Sequence, residues 1–222
     1  MASPVRAWKL SGARFPDFMS EESHFQTDVS PDAAARDLLW MTRIKTGDTV
    51  ALGELIEAHQ QRVVGAVIRM LGDDCDAQDI AQQVFIRVWK SAPRYEPTAK
   101  FTTWLYKIMR NLVFNEVRRR RRHPTRPIEG MAEEGARPLQ TADVNAKSPA
   151  TTMLDDEMQA AIQNAIEELP EVQRMAIVLR RYDEFSYEEI ADILGLSVPA
   201  VKSVLFRART DLRERLRRYL EA

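Results

Sequence analysis

The stretch from Phe185 to Arg209 carries two helix starts separated by one helix stop, which restricts it to two helices joined by a tight turn. Ser186 and Glu189 have the spacing of a capping box, in which each side chain accepts a hydrogen bond from a free backbone N–H of the other residue. Gly195 fits the left-handed position that ends a helix, and Ser197 fits the N-cap of the next one. The pattern predicts a helix-turn-helix, a unit that places its second helix in the major groove of DNA.

The second helix of this unit has one apolar face and one polar, basic face. Its apolar side chains recur at helical spacing and are expected to pack inward. They are Val201, Leu205, Ala208 and Leu212. A plain helical hairpin would have an outer face of mixed or acidic charge, whereas basic residues outnumber acidic ones by seven to three from Val201 to Ala222. We therefore expect this helix to contact phosphates and base edges, and thymine methyl groups through its apolar atoms. The predicted contact residues are Pro199, Ala200, Lys202, Ser203, Phe206, Arg207 and Arg209.

Composition narrows the class of protein further. The chain has 222 residues, 45% of them hydrophobic, which is enough for one large or two small domains with real cores. It contains no run near the ~20 apolar residues of a membrane span, and its start lacks the apolar segment of a signal peptide. One cysteine, Cys75, excludes an internal disulfide, and three scattered histidines make no zinc site. We expect a cytoplasmic protein with no metal, no cofactor, no catalytic residues and no membrane insertion.

The net charge of −1 hides a strong segregation of charge along the chain. Arg87 to His123 holds eleven basic residues and two acidic ones, whereas Pro124 to Ala160 holds three basic and seven acidic residues. Basic surfaces attract phosphate groups and release their counterions, so the distribution of charge matters more than its sum. The sequence predicts two basic surfaces joined by an acidic segment.

Helical periodicity continues through most of the chain, and no run alternates as a strand would. The pattern predicts long helices from about residue 47 to Gly72, over 73–92, and from Phe101 to just before Pro124. A shorter helix is expected from Asp32 to Arg43. We therefore predict an all-α fold of two small helical domains joined by a flexible acidic linker. The divisions are a variable N-terminal extension (1–45), a first helical domain (46–123), the linker (124–152) and the helix-turn-helix domain (153–222).

A second basic surface is predicted on the third long helix. Lysines, an asparagine and an arginine share one side of it, and Trp104 lies at the boundary with the apolar side. Positive charge beside an aromatic ring suits single-stranded nucleic acid, because the charges follow the phosphates and the ring stacks on a base. Two interpretations of Trp104 stay open, base stacking and core packing. The residues that share this side are Lys100, Lys107, Asn111 and Arg118.

Three blocks of the sequence together resemble the sigma factors of bacterial RNA polymerase, in the two-domain form of the extracytoplasmic-function group. The blocks are DIAQQVFIRVWK, RYEPTAKFTTWLYKIMRNLVFNEVRRR and ELPEVQRMAIVLRRYDEFSYEEIADILGLSVPAVKSVLFRAR. They resemble, in order, the family's polymerase-binding helix, its region for the −10 promoter element and its domain for the −35 element. The resemblance covers roughly residues 47 to 220 and implies promoter-specific initiation of transcription.

The resemblance also implies roles for individual residues. It makes the exposed face of the helix-turn-helix the reader of the −35 element. The residues that match the helix docked on the β′ clamp helices of the polymerase are Asp79, Gln82, Gln83 and Ile86. The residues that match the helix beside the captured −10 base are Lys100, Trp104, Lys107, Asn111 and Asn115, with Arg118 one turn further on. The implied partners are core RNA polymerase, through its β′ clamp helices and β flap, promoter DNA, and an anti-sigma factor as a further candidate.

Three other readings remain open at this point. A stand-alone helix-turn-helix regulator would bind a palindromic site without polymerase. A DNA-processing enzyme would need a nucleophile or a metal-binding carboxylate cluster, and the densest acids start a helix, where they stabilise its dipole. These acids are Asp73, Asp74, Asp76 and Asp79. A degenerate sigma-like protein would bind polymerase or an anti-sigma factor without reading promoters. In the free protein the two domains are also able to pack together and hide the DNA-binding surfaces.

Overall fold

The computed structural model describes residues 31–72, 74–122, 158 and 160–220. Within these residues every regular element is helical, which confirms the all-α prediction, and the predicted linker at 124–152 lies outside them. A helical segment at 160–167 precedes Pro170. The named helices are α1 (Pro31–Lys45), α2 (Thr49–Leu71), α3 (Asp74–Ser91), α4 (Phe101–Arg122), α5 (Glu171–Arg181), α6 (Tyr187–Leu194) and α7 (Val198–Leu220), with a short 3-10 turn at Ala92–Arg94.

Helices α1 to α4 form the N-terminal helix group. The Asp48 carboxylate caps α2 by accepting hydrogen bonds from two backbone N–H groups, and Gly72 ends that helix in the left-handed conformation at φ 72°. The apolar stripes of α2, α3 and α4 meet in a common core. Helix α1 joins this core through Met41 and Ile44, and its Asp37 is 2.9 Å from Nε2 of the buried His59. The predicted Asp32–Arg43 helix is therefore present and is packed.

Helices α5 to α7, with the segment at 160–167, form the C-terminal helix group. Ser186 accepts from the Glu189 backbone N–H, and the Glu189 carboxylate accepts from the Ser186 backbone N–H, so the predicted capping box is confirmed. Gly195 ends α6 in the left-handed conformation at φ 69°, and Ser197 Oγ accepts from the backbone N–H of Ala200. The four apolar residues predicted to face inward on α7 are all buried. The helix-turn-helix is confirmed in detail.

The two helix groups pack against each other, mainly through α6 on α4 and α5 on α2. The ring of Phe185 contacts that of the fully buried Tyr106 edge-on, with centroids 4.7 Å apart. Arg174 of α5 donates a hydrogen bond to the Met70 carbonyl oxygen of α2 at 2.7 Å. The structure is therefore the closed form, in which the two helix groups pack together. The sequence alone allowed this arrangement only as a possibility.

Candidate nucleic-acid and protein-binding surfaces

The predicted DNA-reading face of α7 is open to solvent. Lys202, Ser203 and Arg207 are exposed, and Phe206 is 60% exposed, which is unusual for a ring of that size. Pro199 is also exposed, while Ala200 and Arg209 are half-buried. The opposite side of α7 is buried, and α6 packs against it, so these side chains project from a rigid support. The closed form therefore presents a basic and aromatic surface of the kind that major-groove recognition uses.

The predicted −10 face of α4 has two of its lysines paired with acids of the C-terminal helix group. The Lys100 ammonium lies 3.0 Å from a Glu189 carboxylate oxygen, and the Lys107 ammonium lies 2.7 Å from Asp192. Both acids belong to α6. These lysines therefore already have carboxylate partners, in the positions where phosphates would be expected to bind. The other predicted polar residues of this face, Asn111, Asn115 and Arg118, are exposed.

Trp104 is half-buried in an aromatic cluster at the start of α4. Its ring centroid is 4.8 Å from that of Tyr95 and 5.9 Å from that of Phe101. Burial raises the pKa of Tyr95, so its phenol is a neutral group at physiological pH. The packing interpretation of Trp104 therefore describes this closed form, and base stacking by its partly exposed ring stays a prediction.

The arginine run at the end of α4 is divided between internal and external contacts. Arg120 pairs with Asp76 and with Glu116, and Arg119 pairs with Glu116 at 2.7 Å. These cations lower the pKa of Glu116 through hydrogen bonds that favour its charged form. Arg118 is exposed on the same helix. Part of the run thus joins α4 to α3, and part faces solvent.

The predicted polymerase-binding residues lie on an accessible surface of α3. Asp79, Gln82 and Gln83 are exposed, and Ile86 is 46% exposed. Three of the four line an open groove of about 570 Å³ between α2 and α3, whereas Gln83 lies outside it. Apolar side chains form much of the remaining lining, namely Leu52, Ile56, Val64, Phe85 and Trp89. A groove with an apolar floor and polar rim is suited to receive a partner helix.

Asp183, in the turn between α5 and α6, is a residue that sequence reasoning missed. It is 6% exposed and accepts a hydrogen bond from the Tyr106 hydroxyl at 2.7 Å. Burial raises the pKa of its carboxyl from 3.8 to about 6, although the Tyr106 bond and nearby arginines favour the charged form. An acid in a polar turn normally faces water, so the sequence carries no signal of this burial. It arises only because the turn lies against the N-terminal helix group.

Two further searches cover the described residues alone. None of the helices described is both long and apolar enough to cross a bilayer. Across 31–72, 74–122 and 160–220, no group of three or more His, Cys, Asp or Glu side chains is arranged to hold a metal ion.

Comparisons with known proteins agree with the order of these surfaces along the chain. Residues 55–123 match the family described as Sigma-70 region 2, and residues 159–212 match Sigma-70, region 4. Two solved structures share the fold, each at 23% identity. CnrH in complex with the cytosolic domain of CnrY has a TM-score of 0.59 and covers 82% of this chain and 97% of its own. The sigma factor RpoE in complex with the anti-sigma factor NepR from Bartonella quintana has a TM-score of 0.56 and covers 74% and 96%.

Curated relatives are closer in sequence. The RNA polymerase sigma-H factor of Pseudomonas aeruginosa is 34% identical, over 78% of this chain and 90% of the relative. The ECF RNA polymerase sigma factor SigW of Bacillus subtilis is 32% identical, over 79% and 94%. The ECF RNA polymerase sigma-E factor of Escherichia coli K12 is 34% identical, over 78% and 90%. Nearly the whole length of each relative is therefore matched, and the chain belongs to the extracytoplasmic-function group of sigma-70 factors, which direct promoter-specific initiation of transcription.

Proposed function

We propose that this sigma factor reads the −35 element with the exposed face of α7 and the −10 element with α4, while the α2–α3 groove holds the β′ clamp helices of core RNA polymerase. The observation that carries the proposal is the exposed face of α7, where Lys202, Phe206 and Arg207 project from a helix whose opposite side is buried. Bidentate and phosphate contacts from such a face supply both position and base discrimination.

The −10 assignment is supported by the charges of α4. Lys100 and Lys107 are partly exposed, and a DNA strand that binds them must displace the paired carboxylates of Glu189 and Asp192. Capture of an unstacked base costs a few kcal/mol, which stacking and phosphate contacts offset. Trp104 and Asn111 lie on the same helix, where they would complete the site. We propose that Asn115 and Arg118 extend it along the strand.

The division of labour follows from these surfaces. The sigma factor contributes binding and orientation, and the polymerase performs the chemistry, so we propose no catalytic residue and no cofactor here. Joining the −35 and −10 contacts in one chain raises their effective concentration, which makes the spacing of the two elements part of specificity. We further propose a cytoplasmic location, the β flap of the polymerase as a second docking site, and an anti-sigma factor as a regulatory partner.

The test is transcription in vitro with core bacterial polymerase, with and without the protein, on fragmented DNA of the source genome. We expect new start sites that depend on the protein and share two upstream elements. The double variant Lys202→Ala/Arg207→Ala should lose these starts, whereas Arg181→Ala, which removes an exposed arginine at the end of α5, should keep them. Specific footprints without polymerase, together with no initiation, would instead establish a stand-alone regulator.

The polymerase assignment has its own test. Ile86→Asp places a charge in the apolar part of the groove and should weaken binding to core polymerase by more than ten-fold, as loss of a central apolar contact does. Lys90→Asp introduces the same side chain at an exposed position of α3 that does not line the groove. Equal binding by both variants would move the docking site elsewhere.

A further inference from the structure

The closure of the two helix groups covers the three candidate surfaces unequally. Helix α6 lies along α4, where Glu189 and Asp192 pair with Lys100 and Lys107. The face of α7 and the polymerase-binding side of α3 remain exposed. The contact between α6 and α4 therefore places two acids in competition with a −10 strand for these lysines.

The contact between the two helix groups contains one buried carboxyl group. Asp183 lies beside the Phe185 and Tyr106 rings, where one carboxylate oxygen accepts from the Tyr106 hydroxyl. The other oxygen, Oδ2, is buried and has no hydrogen-bond partner among the described residues. The Arg62 Nε is 3.8 Å from Oδ1, and an Arg62 guanidinium nitrogen donates to the Asp183 carbonyl oxygen at 3.0 Å.

The charged and titratable groups around Asp183 come from two helices of the N-terminal group and from the turn itself. Helix α2 supplies Arg62 and Arg69, α4 supplies Tyr106, and the turn itself supplies Glu184. Tyr106 is a neutral donor because burial raises its pKa well above the ordinary value. A buried carboxylate with one hydrogen-bonded oxygen and a cation at 3.8 Å is incompletely compensated for its loss of water.

We propose that Asp183 is a proton-linked latch between the two helix groups, which close firmly over α4 when this carboxyl is protonated and loosen when it is ionised. The latch itself does not depend on the proposed function. Its consequence, control of access to the −10 face, rests on the proposed function.

The direction of the effect follows from linkage. In the closed form the pKa of Asp183 is raised to about 6, and on opening it returns toward 3.8 as the carboxyl regains water. The closed form therefore binds the proton more tightly. Its advantage is complete below the lower pKa and is lost as pH rises through about 6, and the closing equilibrium constant falls by about 100-fold in total. At neutral pH the latch is loose, so a DNA strand or a partner needs less free energy to open it.

The decisive measurement is the distance between the two groups as a function of pH. Fluorophores would be attached at Lys90→Cys and Thr210→Cys in the full chain carrying Cys75→Ser, and energy transfer would be followed from pH 7.5 to pH 5. We expect the distance to shorten with a midpoint near 6. Asp183→Asn, which keeps the shape and the Tyr106 bond without the charge, should give a short distance at every pH.

Two matched variants make the result specific to Asp183. Glu184→Gln removes the adjacent acid and should retain the pH response. Tyr106→Phe removes the hydrogen bond that favours the charged carboxyl, so the midpoint should move to higher pH. This last variant also decides the matter if Asp183→Asn fails to fold. Three results would each overturn the latch. They are a pH response in Asp183→Asn equal to that of the parent, no response in the parent, and an unshifted midpoint in Tyr106→Phe.

A second measurement separates the latch from the −10 assignment. Anisotropy of a labelled single-stranded oligonucleotide carrying the −10 sequence, taken from the mapped start sites, would be compared between the parent and Asp183→Asn at pH 7.5. We expect weaker binding by Asp183→Asn, because its closed form keeps Lys107 paired with Asp192 at that pH. A pH-dependent distance with equal oligonucleotide binding would leave the latch in place and overturn the −10 assignment of α4.

Discussion

The predicted −35 face of α7 and the predicted −10 face of α4 differ in how their basic side chains are partnered. Both faces are basic, both include a large aromatic ring, and both lie on helices of more than twenty residues. Yet Phe206 is 60% exposed, whereas Lys107 is held by Asp192 at 2.7 Å. The difference lies in the neighbours, since α6 supports α7 from behind and at the same time presents acids to α4. One helix thus supports one DNA-binding face and neutralises two lysines of the other.

The largest expected effect tests the open face. Lys202→Ala/Arg207→Ala should lower promoter-dependent transcription by about 100-fold, because each lost base or phosphate contact is worth about 1–3 kcal/mol. The measurement is a titration of promoter DNA against the holoenzyme, with Arg181→Ala as the control. Equal DNA binding by the variant and parent holoenzymes would show that this face does not read DNA during initiation.

The next largest effect is expected at Asp183, the buried carboxyl between the two helix groups. Asp183→Asn should raise the free energy of unfolding at pH 7.5 by about 1–3 kcal/mol, because the parent at that pH either buries an ionised group or gives up the contact between the helix groups. The folded-state pKa is raised, so the parent is most stable below the ordinary pKa and loses that stability as pH rises through about 6. Urea denaturation at pH 7.5 and pH 5 measures this. An equal gain at both pH values would assign the effect to packing instead.

A smaller effect concerns the shared helix. Ser186→Ala removes one half of the capping box of α6 and should cost about 1 kcal/mol of stability. Because α6 supports α7 and covers α4, the loss should loosen both faces together. Hydrogen exchange of the α6 and α7 amides measures the effect. The control is Ser203→Ala, on the exposed face of α7. Protection lost from α7 alone would contradict this account.

The smallest effect is expected at the ion pairs. Asp192→Ala should strengthen binding of the −10 oligonucleotide by no more than a few-fold, since partly exposed pairs contribute about 1 kcal/mol or less. The gain should fall at high salt, which screens such pairs. Glu188→Ala removes another exposed acid of the same helix and should leave binding unchanged. A large gain from Asp192→Ala would mean that this pair, and not the buried contact, holds the closure.

Local signals predicted the helix-turn-helix almost residue by residue. The Ser186–Glu189 box, the Gly195 stop and the Ser197 cap depend on side chains within four positions of each other, and each was found as predicted. The ends of α2 and α4 were likewise predictable, from a glycine and from an approaching proline. Residue assignments to promoter elements and to polymerase came from the family resemblance, and they remain predictions.

The closed arrangement was foreseen only as an alternative, because its determinants lie far apart in the chain. Lys107 and Asp192 are 85 positions apart, and Tyr106 and Asp183 are 77 apart. Each reads locally as a solvated charge or a core aromatic. No periodicity or cap records which helix group will face another.

The amino-acid sequence alone thus determined the helix positions, caps and buried stripes, because they arise from interactions between residues a few positions apart. Which lysines are paired with distant acids, and which carboxyl loses its water, were decided by the packing of the C-terminal helix group on the N-terminal one. Burial and ion pairing between distant segments depend on how apolar surfaces dock in three dimensions, and that information has no local pattern to carry it.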